Sequence, residues 1–459
     1  MKLRNPNRQP DERRERASVL IIVLWVCLGL VAIALYFANS MTYELRASDN
    51  RVAGLSADQA IEGAARYVSY VLSNYATNGA VPDNTQFACE AVPIGDAHFW
   101  LIGRDPNASL STTMPTEPYF GLIDEGSKLN LNTANTNVLS YLPNMTVDFA
   151  NAIMDWRGTN GIVSLDYSSL GYLPKNAPFE TEDELRLVYG ATMDLLVGED
   201  LNQNGALDAN EKDLNGNGQL DSGLFEYTTV WTREPNFHSD GSSLTNVNTA
   251  TQARLQALFE DSGVSSPTTM ATALYRNIHN TPGGVNTCNG ILDLAVRCRN
   301  LGMSEADFAK IYNNVTTTTN AYIRGRVNVN TASAAVLTAL FEGLNVDEQT
   351  AEGAVQSLIT YREQNFGSLN DIGWMIDALG SNNPVIQALQ RGDYVTTKSY
   401  QFTADIAAVG PFGRGYRRVE FVFDTSEGTP IILYRRDMSR LGWALGDKAR
   451  QTWVANATQ

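Results

Sequence analysis

The stretch SVLIIVLWVCLGLVAIALYFANSM, residues 18–41, holds no charged side chain. At about 1.5 Å per residue in a helix, a run of this length crosses a hydrocarbon layer of roughly 30 Å. Before it, Lys2, Arg4, Arg8, Arg13, Arg14 and Arg16 outnumber Asp11, Glu12 and Glu15. A basic flank ahead of an apolar span keeps the amino end in the cytoplasm and sends the rest of the chain outside. A cleaved secretory signal would have a shorter apolar core and a small-residue cut site, whereas Thr42-Tyr43-Glu44-Leu45 comes next here, so the segment reads as an anchor. Beyond it, Leu45, Val52, Leu55, Ala60, Ile61, Ala64, Tyr67, Val68, Val71 and Leu72 recur at helical intervals, with no proline from 42 to 75. The spacing predicts one continuous helix from Ser18 to about Asn74, half in lipid and half packed on a head.

The 459 residues correspond to about three domains at roughly 150 residues each. Charged residues make up 18% and hydrophobic ones 43%, which is globular usage. With 34 Lys plus Arg against 50 Asp plus Glu, the net charge is -16, a field that repels polyanions. Nucleic acid is not an expected partner. His98, His238 and His279 are scattered, and no nucleophile, phosphate loop or catalytic carboxylate pair can be assembled, so an enzyme is not expected.

The cut implied by Arg16-Ala17 ahead of Ser18-Val19-Leu20-Ile21-Ile22 resembles that of a type IV pilin or a pseudopilin of the type II secretion system. In that family a prepilin peptidase cuts after Gly or Ala on the cytoplasmic side, which here implies cleavage between Ala17 and Ser18 and a methylated Ser18. Most members carry Glu at the fifth mature position, where it neutralises the terminal ammonium of the subunit above; this chain has Ile22. Loss of that Glu is a mark of the K-type minor pseudopilins. The plainer alternative is an unprocessed signal anchor.

Three near-copies come later in the chain: Asn130-Leu131-Asn132-Thr133-Ala134, Asn246-Val247-Asn248-Thr249-Ala250 and Asn328-Val329-Asn330-Thr331-Ala332. Each precedes an apolar-periodic run, so Asn and Thr oxygens are expected to cap the free N–H groups of a helix start. Downstream of the first stand Ile153-Met154-Asp155-Trp156-Arg157 and Phe179 with Glu184-Leu185; downstream of the third stand Leu358-Ile359-Thr360-Tyr361-Arg362 and Phe366 with Asp371-Ile372. This order resembles the helix-hairpin-helix, or SAM-like, repeats of competence-type DNA receptors, and a membrane-anchored DNA receptor is the rival reading. Phosphate binding there rests on a Gly-hydrophobic-Gly hairpin. Leu142-Pro143-Asn144-Met145-Thr146 lacks both glycines, and Glu342-Gly343-Leu344-Asn345-Val346 keeps one beside Glu342 and Asp347, so the repeats read as packing units. The K-type family resembles this chain again in carrying such helices and a lead-in like Asp124-Glu125-Gly126-Ser127-Lys128-Leu129-Asn130.

Asp200, Asn202, Asn204, Gly205, Asp208 and Glu211 satisfy the pattern D-x-[DN]-x-[DN]-G-x5-E. Alternate oxygens would wrap one hard cation, the Ala206 carbonyl contributing, Gly205 permitting the turn and Glu211 ligating through both oxygens. Leu207 is expected to anchor the loop to the core. Asp213, Asn215, Asn217 and Asp221 begin a second, weaker loop with Leu224 where a closing Glu belongs. A structural Ca2+ is the expected cofactor, as the resemblance to the K-type family also implies; the alternative is a pair of Asn/Gly turns. The incoming segment, Glu182 to Val197, reads as helical. Cys288 and Cys298 could form a disulfide outside the cytoplasm, with free thiols as the alternative, while Cys27 sits in the span and Cys89 has no evident partner. Three strands are expected near the end, at Val395–Ile406, Arg417–Asp424 and Pro430–Asp437.

The fold expected is α+β: a type IV pilin-like long helix packed on an antiparallel sheet, with a large inserted helical domain. Its divisions are a leader (1–17), a transmembrane half-helix (18–41), an amphipathic half-helix with the first part of the head (42–134), the insertion (135–390) and strands completing the sheet (391–459). The resemblance implies a structural subunit at the tip of the pseudopilus that helps start its assembly for protein export across the outer membrane. It further implies a single-pass inner-membrane location with the head in the periplasm. The implied partners are the I- and J-type minor pseudopilins, the major pseudopilin, the inner-membrane secretion platform and the prepilin peptidase.

Overall fold

The computed structural model describes residues 12–108, 115–159, 165–208, 210–279 and 285–453, without the side chains of residues 12–18. Most of the leader, and the side chains of Ala17 and Ser18, therefore lie outside the described residues. Glu12–Tyr75 forms one helix, α1, of 64 residues. Its apolar stretch, Ile22 included, is exposed along its whole length; the most apolar window has a mean hydropathy of 2.9 and none of it is buried. It is the one helix among the described residues long and apolar enough to cross a membrane. Farther along, Ala57, Ala60, Ile61, Ala64, Val68 and Leu72 fall on one stripe and are buried.

That stripe packs on an antiparallel sheet of six strands. They are β1 (Val92–Ile94), β2 (Ala97–Ile102), β3 (Ile123–Asp124), β4 (Gln401–Val409), β5 (Arg417–Asp424) and β6 (Ile431–Asp437). Their order is β1-β2-β4-β5-β6, with β3 also paired to β4. The chain thus leaves the sheet after β3 and returns at β4, which lies beside β2 with Trp100 opposite Ala407. All of β4 is buried. By strand alternation Phe402, Ala404, Ile406 and Ala408 meet α1, while Asp405, Ala407 and Val409 face the other way. The strand expected from Val395 to Ile406 is in fact two: Val395–Thr396 pairs elsewhere, and β4 starts at Gln401. The Thr396 hydroxyl accepts the Lys398 N–H at 3.1 Å, which closes a turn between them.

The inserted part is built of three units, each sealed by a short parallel pair between its own ends. Leu129–Asn130 pairs with Thr228–Thr229, Thr245–Asn246 with Val315–Thr316, and Val327–Asn328 with Val395–Thr396. The first Asn of each copy folds back on the N–H two residues later, in Asn130, Asn246 and Asn328. The second clamps distant chain: Asn132 pairs with both backbone groups of Phe179, Asn248 with those of Cys288, and Asn330 with the Leu369 carbonyl and the Trp374 indole. The helix caps are therefore not the motif's own Asn and Thr. They are the next residues, Asn135, Thr251 and Ser333, whose side chains accept from Val138, Arg254 and Val336. Each cap opens a helix pair: Thr136–Ser140 with Val147–Trp156, Gln252–Asp261 with Pro267–His279, and Ala334–Gly343 with Glu348–Gln364.

Two further expectations are corrected. Glu182 to Val197 is not one helix but a 3-10 segment, Glu182–Leu187, and a single turn, Met193–Leu196, broken at Gly190 with φ 84°. Cys288 and Cys298 form no disulfide; both are buried free thiols. Burial pushes the Cys288 thiol up to about 12 and raises that of Cys298 too.

Ile61 is sealed between α1 and the sheet. Ile61→Ala should cost about 2–5 kcal/mol, the range for truncating a well-packed core residue. Leu55→Ala, on the exposed side of the same helix, should stay within about 0.5 kcal/mol. Denaturant melts of the detergent-solubilised protein compare the two.

Candidate functional site

Residues 198–223 leave the first unit and return through a narrow neck. Gly198 and Ser222 face each other across an antiparallel bridge, the Glu199 N–H donates to the Asp221 carbonyl at 2.9 Å, and the Gly223 N–H donates to the Val197 carbonyl at 2.9 Å. A Cβ on Gly198 would lie 2.2 Å from the Asp221 oxygen, so the neck requires glycine there. Between these ends the chain makes two successive loops.

In the first, the Asp200 carboxylate accepts the N–H groups of Asn204 (3.0 Å) and Gly205 (2.8 Å). Gly205, at φ 77°, turns the chain. The amide groups of Asn202 and Asn204 both donate to Asp208, and Glu211 accepts the N–H groups of Asn202 and Asp208, each at 3.0 Å. The second loop repeats this arrangement. Asp213 accepts from Gly216 (2.6 Å) and Gly218 (2.9 Å), and the Asn215 and Asn217 amides donate to Asp221. Its closing carboxylate comes from upstream: Glu199 accepts the N–H groups of Leu214 (2.6 Å) and Asp221 (3.1 Å), much as Glu211 does in the first loop. Sequence reasoning looked for that group at Leu224 and missed Glu199, whose signal was a carboxylate adjoining Asp200 at the neck.

The first loop is seated on the far face of the sheet. Arg418 of β5 is wholly buried and pairs with Asp405 of β4 at 2.5 Å. Its remaining N–H groups donate to the carbonyls of Asn202 and Gln203, the latter at 2.7 Å. Arg104 also donates to the Gln203 carbonyl (3.2 Å) and pairs with Glu226 (2.7 Å). The expected anchor, Leu207, is only half-buried; Ala206 is the enclosed residue, and Arg418 does the anchoring. This buried guanidinium is met by the Asp405 carboxylate on one side and by two main-chain carbonyls of the loop on the other.

Burial pushes the Asp200 carboxyl up to about 6 against the pull of Arg104, and it also raises Asp208 and Glu211. The Asn202 Oδ1 is buried with no hydrogen-bond partner. Buried carboxylates and an orphaned amide oxygen fit a hard cation, which would offset their desolvation. The carboxylates alone do not form a metal cluster: among the described residues no three His, Cys, Asp or Glu side chains gather at metal-holding distance. Half of the first loop's set is amide and main-chain oxygen.

Two carboxylates at the end of β3 join the head to the insertion. Asp124 accepts from Asn328 (2.9 Å) and Thr331 (2.5 Å) of the third unit, and Glu125 accepts from Thr229 (2.5 Å) of the first and Thr403 (2.7 Å) of β4. The third hairpin offers phosphate little: its Glu342 carboxyl is raised by burial and by the nearby Glu348 and Glu352.

Residues 327–392, the core of the third unit, match the family described as type II secretion system (T2SS), protein K. A solved structure that is similar, the GspK-GspI-GspJ complex from the enterotoxigenic Escherichia coli type 2 secretion system, shares 13% identity over 45% of this chain and 78% of that one, with a TM-score of 0.18. No curated protein matches the chain.

Glu199→Ala should free the N–H groups of Leu214 and Asp221. Each hydrogen bond to a charged acceptor is worth about 1.5–3 kcal/mol, so these two amides should exchange hydrogen faster while those of β4 stay slow. Unchanged exchange at both positions would show that Glu199 does not close the loop.

Proposed function

We propose that this protein caps the tip of the pseudopilus and helps initiate its assembly for protein export across the outer membrane. The observation that carries this reading is the exposed apolar half of α1 with Ile22, not a carboxylate, at the fifth position after the expected cut. A subunit with another above it needs an acidic group to neutralise that neighbour's ammonium in lipid, where an unpaired charge is costly. A terminal subunit does not, and the bulk of the three inserted units would obstruct a neighbour above. The role is structural rather than catalytic. Its partners on this reading are the I- and J-type minor pseudopilins, packed through side-by-side helices, with the major pseudopilin below, the inner-membrane platform as the base and the prepilin peptidase as processing enzyme. α1 anchors the chain in the inner membrane and the head lies in the periplasm.

Mass spectrometry of the membrane-extracted protein should find a mature chain beginning at methylated Ser18, and gold labelling of assembled fibres should mark one end. An intact Met1, or label along the shaft, would overturn the reading.

The two loops hold structural calcium on the same reading. Asp200, Asn202, Asn204, the Ala206 carbonyl, Asp208 and Glu211 would hold one ion; Asp213, Asn215, Asn217 and Asp221, closed by Glu199, would hold a second. In the first loop calcium supplies charge that lets the buried carboxylates of Asp200, Asp208 and Glu211 stay ionised. Calorimetric titration of the full chain should show uptake that Asp200→Ala removes from the first loop. The pH dependence has a definite sign. With its carboxyl at about 6 in the fold and about 3.9 unfolded, Asp200 lowers the calcium-free protein's stability as pH rises across that window. Calcium should cancel the loss, so its stabilising effect should be small near pH 4 and full above about 6.5. No heat of binding and a calcium-independent melt would remove the ions from the account.

A further inference from the structure

A side-chain amide that turns its oxygen toward a cation must place its two N–H hydrogens elsewhere. Asn202 and Asn204 each give one hydrogen to Asp208, inside the loop. The other goes outside. Asn202 Nδ2 donates to the Trp443 carbonyl at 3.0 Å, and Asn204 Nδ2 donates to the Ala444 carbonyl at 3.1 Å. These acceptors lie about 240 residues away in sequence, on a segment that ends the described chain. There Ala444 and Leu445 are fully buried beside Trp100, Ala407 and Val409 on the far face of the sheet. The Trp443 ring stands 5.1 Å from that of Tyr416, and its indole N–H donates to the Gly446 carbonyl at 2.8 Å. The helix Gly446–Trp453 comes directly after.

We infer that the first loop and the C-terminal segment 443–453 lock one another: the carbonyls of Trp443 and Ala444 aim the oxygens of Asn202 and Asn204 into the loop, and filling the loop fixes that segment on the sheet. This rests on the calcium reading above. The Asn202 Oδ1 is left buried without a hydrogen-bond partner, and the Asn204 Oδ1 accepts the Ala206 N–H inside the loop at 2.8 Å. Outer partners that orient a ligand contribute to affinity although they touch no ion. Coupling of this kind is reciprocal, so tightening the loop also tightens the segment.

The locking predicts that aspartate, which brings more charge, binds worse here. A carboxylate at position 202 or 204 has no hydrogen to give and sets oxygen against a carbonyl oxygen. The test uses the full chain in detergent, with calorimetry against calcium chloride and amide exchange of residues 443–453 in calcium or in chelator. In the parent protein, calcium should slow exchange across 443–453. Asn202→Asp and Asn204→Asp should each weaken binding by about 10- to 100-fold and leave 443–453 exchanging as fast with calcium as without, while β4 and β5 stay protected. Variants that bind as tightly as the parent or tighter would overturn the inference and leave the calcium reading standing. So would a parent whose 443–453 exchange ignores calcium, a result that needs no variant to fold. A parent that takes up no calcium sinks the calcium reading itself, and the inference with it.

Discussion

The structure depends on one strand being buried on both faces. β4 presents Phe402, Ala404, Ile406 and Ala408 to α1, and this face alone would make an ordinary two-layer head. Its other face carries Asp405, which is tolerable in a dry place only because Arg418 of the neighbouring strand pairs with it. Arg418 then has donors left over, and they are met by carbonyls of a loop brought from the inserted part. The head and the insertion are therefore held together by unsatisfied hydrogen-bonding capacity as much as by apolar contact. Asp124 and Glu125 repeat the arrangement at the sheet's margin, each reaching a different unit.

This gives the first of the two loops a physical context beyond its sequence pattern. A loop rich in Asn, Asp and Gly has little apolar surface with which to bury itself. Here it is enclosed by polar groups directed at it: two arginines, the carbonyls of the C-terminal segment and the carbonyl of Pro115, which accepts the Leu207 N–H at 2.8 Å. The carboxylates inside are raised toward neutrality by that burial. A cation, on the reading adopted here, resolves the conflict.

Much of the fold was legible because it rests on periodicity. α1 is a long apolar run continued by a stripe at helical spacing, and β5 emerged with its limits unchanged because Val419, Phe421, Val422 and Phe423 are strand-favouring residues set between charged ends. Local hydrogen bonding was harder to read. The Asn residues of the three copies suggested caps because Asn favours caps, yet they serve as clamps on chain some 40 residues away, and one-dimensional spacing carries no sign of that partner. Glu199 was missed for the same reason, since a loop pattern read forward from Asp213 has no place for a residue that precedes it. Arg418 looked like any charge in a strand, and only the sheet's second covered face reveals its task.

The three inserted units share one further property. Since the first and last strands of each unit lie side by side, the chain enters and leaves every unit at nearly the same point. A unit could be copied or lost in evolution without leaving its flanks any distance to span. The near-identical Asn-x-Asn-Thr-Ala openings have the form expected of such a history: one small cassette duplicated in tandem, then specialised, with the first copy accommodating the double loop.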